Sequence, residues 1–72
     1  MAVELLVVGG LSDPWVGPVV AVGQEAMTVA VVEPDRAVDT SAVRILVGAP
    51  PDLALKIREC PRLQWVQSTW AG

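Results

Sequence analysis

The chain has 72 residues, 53% of them hydrophobic and only 18% charged, with a net charge of −3. That length allows one small domain, and so apolar a composition excludes intrinsic disorder, which needs low hydrophobicity and high charge. Lys56, Arg58 and Arg62 are interrupted by Glu59, so there is no basic stripe to neutralise the phosphates of a nucleic acid.

The apolar excess leaves two readings open: a surface that expects another domain or another copy, or apolar strands longer than a small core needs. The longest uncharged stretch, residues 14 to 24, is too short to cross a bilayer and contains Gly17, Pro18 and Gly23. No basic segment precedes an apolar one at the start, so no secretory signal is expected. The single cysteine, Cys60, excludes an internal disulfide and fits a reducing cytoplasm. Histidine is absent, which removes the commonest general base at neutral pH and the commonest zinc ligand. No metal site is expected.

In chain order, Val3 to Val8 is a nearly continuous apolar run ended by Gly9-Gly10, as suits a parallel strand covered on both faces. Ser12-Asp13-Pro14 reads as a cap followed by a proline at a first helical position. Trp15, Val19 and Val22, at i, i+4 and i+7, would form one buried face. Gly17-Pro18 sits inside that segment, and an interior proline costs a helix roughly 3 kcal/mol, so a short or distorted helix is expected. Met27 to Val32 is a second strand, ended by Glu33-Pro34-Asp35, and residues 36 to 42 are polar and turn-prone.

Arg44 to Val47 is a third strand, closed by Gly48-Ala49. Pro50-Pro51-Asp52 signals a helix start, where negative charge is favoured. Leu53, Ile57 and Cys60 would form its apolar stripe, while Lys56, Arg58 and Glu59 face water. Pro61 stops the helix. Gln64 to Ser68 is a fourth strand, followed by Thr69-Trp70-Ala71-Gly72. Strands alternating with helices predict an α/β parallel sheet. No final helix covers the last strand, which is odd for a complete domain.

Ligands of such sheets bind beyond the carboxyl ends of the strands. Small residues follow the first, third and fourth strands there, where backbone N–H groups can cradle an anion. Glycines also end strands in most α/β folds without any ligand, so this reading stays open. Gly9-Gly10-Leu11 lacks the three spaced glycines of a dinucleotide fingerprint, and no phosphate loop is present. Cys60 on an apolar stripe reads as a buried structural thiol, and a redox role would require it exposed with a depressed pKa. Trp65, beside Leu63 and Val66, reads as core. Trp70 lies past the strand end, where it either walls a pocket, covers an interface or packs locally.

The segment Ala49-Pro50-Pro51-Asp52-Leu53, then residues 61 to 72 (PRLQWVQSTWAG), resembles the substrate-binding domain of the D-isomer-specific 2-hydroxyacid dehydrogenases. That family carries a strand like P-x-L-K-W-I-Q-S and a turn like T-x-A-G-V-D that opens a helix. The wording is most similar to the glyoxylate/hydroxypyruvate reductase branch. The likeness is strong over residues 43 to 72 and only topological over residues 1 to 42.

The resemblance implies a flavodoxin-like parallel sheet, incomplete, with about four strands in the order 2-1-3-4 and two or three helices. Residues 1 to 72 would be part of a substrate-binding domain, with the dinucleotide-binding domain absent. It further implies that the amides of Ala71 and Gly72 grip the carboxylate of a small 2-oxo or 2-hydroxy acid. Trp70 would then shape the pocket, and Ala49 and Pro50 would reach the other end of the substrate. No catalytic residue and no cofactor-binding residue matches the family's. NAD(P), the carbonyl-polarising arginine and the His–Glu pair would all come from a second domain, so the chain alone is expected to be inactive. Self-association through an exposed edge or apolar surface is expected. The alternative is a self-standing α/β interaction module with no catalytic role.

Overall fold

The computed structural model describes residues 2–10 and 12–70. Four short strands, β1 (Leu5–Val8), β2 (Val29–Val32), β3 (Ile45–Gly48) and β4 (Trp65–Ser68), form one parallel sheet in the order β2-β1-β3-β4. The expected α/β class and strand order are both present. Leu5 to Val8 are all buried because β1 is central, paired with β2 on one side and β3 on the other. A strand hidden on both faces has no position for a polar side chain, and its unbroken LLVV follows from that.

Alternate residues of β1 enter different cores. Leu6 and Val8 join Leu46, Val43, Leu53 and Cys60 on one face. Leu5 and Val7 join Val16 and Val47 on the other. Helix α2 (Pro50–Lys56), continued by one 3₁₀ turn at Ile57–Glu59, covers the first face and packs against β3 and β4. Helix α1 (Val16–Gly23) covers the second and packs against β1 and β2. The two helices are therefore offset as well as opposed. On the α1 face, the half of the sheet made by β3 and β4 carries no helix among the described residues.

Helix α1 is regular, and Pro18 does not break it. Trp15 is its N-cap, so Pro18 is the third helical residue, where the missing N–H has no intrahelical acceptor to lose. The expected cap at Ser12-Asp13 is not used. Asp13 instead accepts a hydrogen bond from the Gly10 N–H at 3.1 Å and fixes the turn after β1. Trp15 and Val19 are partly buried against the core, but Val22 is 69% exposed, and it is Gly23, the next residue, that packs against Leu5 and Val29.

Helix α2 departs from its expected stripe. Leu53 and Cys60 are buried, yet Ile57 is exposed and Lys56 is the buried residue. The tighter 3₁₀ turn that begins at Ile57 advances each side chain by more than an α-helix does, so the i, i+4 partner of Leu53 rotates outward. Lys56 is buried in its place, its ammonium donating to the Arg36 carbonyl in the β2–β3 connection and lying 3.7 Å from the Glu59 carboxylate.

Candidate functional site

The turns after β3 and β4 meet at one rim of the sheet, at the carboxyl ends of the strands. Gly48 pairs with Val8 on one side and Ser68 on the other. The Thr69 N–H donates to the Gly48 carbonyl at 3.0 Å, which holds the turn after β4 against the turn after β3. Ala49, partly buried and extended (φ −73°, ψ 145°), is the N-cap of α2, and Pro50 follows it on the surface. Trp70 is 61% exposed beside them, and its N–H donates to Ser68 Oγ at 3.1 Å. Ala49, Pro50 and Trp70 thus share one rim of the sheet. Ala71 and Gly72, the residues expected to grip a carboxylate, lie outside the described residues.

Gly48 is required by close packing at this rim. A Cβ there would stand 2.7 Å from the Val8 carbonyl oxygen, a backbone atom of the neighbouring strand. The start of α2 is a poor anion cradle. Pro50 and Pro51 have no N–H, and the N–H groups of Asp52 and Leu53 both donate to the Ala49 carbonyl.

The turn after β1 does not fit a dinucleotide. Trp15 and Asp13 stand 3.1 and 3.2 Å from where a Gly9 Cβ would be, and the Asp13 carboxylate occupies the Gly10 N–H. A pyrophosphate would meet a negative charge where it needs donors.

Cys60 is buried, and its thiol donates to the Lys56 carbonyl at 3.4 Å. Burial, and then the negative charge of Glu59, push the thiol pKa up, while Lys56 opposes them. Both the burial and the raised pKa disfavour the thiolate form. Asp39 behaves in the opposite sense: hydrogen bonds from the Ser41 N–H and hydroxyl hold its carboxyl below the ordinary value. Among the described residues no group of three or more His, Cys, Asp or Glu side chains is placed to hold a metal ion.

Trp65, expected in the core, is 61% exposed. It shares a face with Ile45 and Val47, which is the half of the sheet α1 leaves open. A feature outside the expected site lies at the amino ends of the strands. There Glu4 and Arg44 form an ion pair at 2.9 Å beside an open cavity of about 500 Å³ that Thr28 and Arg62 also line. Its sequence signal is a charged residue immediately before each of two apolar strands. A second, apolar groove of about 380 Å³ runs along α1 between Pro18, Val19, Val22 and Leu5. Compared with protein-family models, with curated proteins and with solved structures, the chain matches none.

Proposed function

We propose that the chain is the N-terminal part of the substrate-binding lobe of an NAD(P)-dependent 2-hydroxyacid dehydrogenase, reducing a 2-oxo acid of the glyoxylate or hydroxypyruvate kind when complete. The reading rests on the resemblance of residues 43 to 72. The observation that carries it is the Thr69–Gly48 hydrogen bond, which sets the turn after β4 beside Ala49 and Pro50 at the carboxyl rim. Ligands of open α/β sheets bind at that rim. In this reading the amides of Ala71 and Gly72 bind the substrate carboxylate, and Trp70 walls the pocket. The cofactor and the proton-transferring pair belong to the other lobe, so this chain alone turns nothing over.

Titration of the ¹⁵N-labelled chain with glyoxylate and with hydroxypyruvate tests the reading. Half of the cleft is missing, so the dissociation constant is expected to be about 1 mM or weaker, with amide shifts confined to Ala49 and residues 68 to 72. Shifts confined to Arg44 and Arg62 would place carboxylate binding at the opposite end of the sheet and refute it. The reading frame after Gly72 gives the companion test. Val-Asp and, further on, a GxGxxG are expected, and a stop codon would leave the interaction module standing. The exposed Trp65, Val66 and Trp70 favour that second reading.

A further inference from the structure

We infer that residues 33 to 42 form a strap that opens as one unit while the sheet and both helices stay folded, and that Lys56 and Thr40 together hold it shut.

The order β2-β1-β3 obliges the connection between β2 and β3 to cross over β1, and a crossover between parallel strands is usually a helix. This one holds only turns. Its backbone bonds are correspondingly local: the Arg36 N–H donates to the Glu33 carbonyl at 3.0 Å, and the Val43 N–H to the Thr40 carbonyl at 3.1 Å. The Ser41 N–H goes to the Asp39 carboxylate. None of these bonds fastens the segment to the sheet. Val38 does so in part, by packing against the core that Leu6, Val8 and Leu53 share.

The remaining ties are two side chains, and both lead to the 3₁₀ turn that ends α2. Lys56, only 3% exposed, donates to the Arg36 carbonyl and lies 3.7 Å from the Glu59 carboxylate. The Leu63 N–H, which would reach Glu59 in a continuing α-helix, goes to the Cys60 carbonyl instead. The Glu59 carbonyl takes the Thr40 hydroxyl. Glu59 thus meets one tie with its side chain and the other with its backbone.

This arrangement makes the strap two-state. A buried ammonium keeps its acceptor or reaches water, because leaving it unpaired is costly. Lys56 therefore bonds Arg36 when the strap is shut and turns to solvent when it lifts. Val38 lies between the tied positions and must leave the core with them. The central strand β1 is held differently, by a parallel partner on each side. Segments with few buried contacts open at lower free energy than such strands. Opening uncovers apolar residues of β1 and β2 on that face, with α2 still seated on β3 and β4.

Native-state amide exchange of the ¹⁵N-labelled chain, read by NMR across low urea concentrations, tests the inference. The amides of Arg36, Ser41 and Val43 are expected to share one opening free energy, below that of the β1 amides. Their common urea slope should lie between zero and the slope of β1. T40V removes the hydroxyl tie and should speed exchange about fivefold at all three positions, Arg36 at the far end included. K56M leaves the Arg36 carbonyl without its donor and should speed the same three by about tenfold or more. Should K56M fail to fold, T40V decides alone. Three unequal opening free energies overturn the inference. So does a T40V response confined to Ser41 and Val43, or a urea slope that is zero or equal to that of β1.

Discussion

Adding one methyl group to this chain should have opposite effects at two glycines, and Gly48 gives the sharper test. At Gly48→Ala the new Cβ would sit 2.7 Å from the Val8 carbonyl oxygen, with Leu53 Cδ2 and Val8 Cβ both 3.4 Å away. The closest atom is backbone of the central strand, so relief requires β3 to move away from β1 by about half an ångström. Overpacking of this kind costs about 1–3 kcal/mol. For a domain of this size each kcal/mol lowers the midpoint by roughly 4–8 °C, so Tm should fall by about 4 to 24 °C. At Gly17→Ala nothing lies within 4 Å, and the residue is in the first turn of α1. There the lost flexibility of the unfolded chain should stabilise by about 0.5 kcal/mol. Thermal and urea unfolding followed by circular dichroism, at concentrations low enough to keep the chain monomeric, measure both. If G48A proves as stable as the parent, β1 and β3 are not in the contact described, and the geometry of the rim falls with them.

Two further outcomes follow from the titratable groups. Because burial raises the Cys60 pKa above its ordinary 9.0, the unfolded chain releases that proton first. The folded state's advantage from this group is therefore whole below pH 9.0 and declines as pH climbs towards the folded pKa. Urea titrations from about pH 8 to 11 should show this fall, and a C60A variant with the same slope would contradict it. Glu4→Gln breaks a half-exposed ion pair with Arg44 and should cost less than about 1 kcal/mol, a difference that vanishes in high salt. A loss above about 2 kcal/mol would mean the Thr28 N–H bond to Glu4, at 3.4 Å, matters more than its length suggests.

Strand positions were legible because a strand buried on both faces of a parallel sheet has no polar position, and LLVV states that directly, whereas the order 2-1-3-4 came only with the family resemblance. The start of α2 was legible from Pro50-Pro51-Asp52, which suits a first turn and little else. Periodicity misplaced Ile57, because an i, i+4 rule assumes a helix that stays α, and this one tightens at that residue. It misplaced Trp65 for a different reason. A strand's apolar residues reveal that it has faces, but which face a helix covers depends on where the crossover lies over the sheet, and α1 lies over β1 and β2. At the site, the turns after β3 and β4 were identified by small residues and do meet. That two prolines leave the start of α2 without free donors was also written in the sequence, and is a matter of counting N–H groups.

Lys56 is the only lysine in the chain, and its ammonium is held beneath the β2–β3 connection. The Thr40 hydroxyl ties the same connection to the Glu59 carbonyl, so residues 36 to 40 lie across the end of α2 like a latch. No lysine amine is therefore presented to an acylating reagent while the latch is shut. Acylation of Lys56 would have to wait for that latch to lift, and its rate would time the opening of this one corner of the molecule.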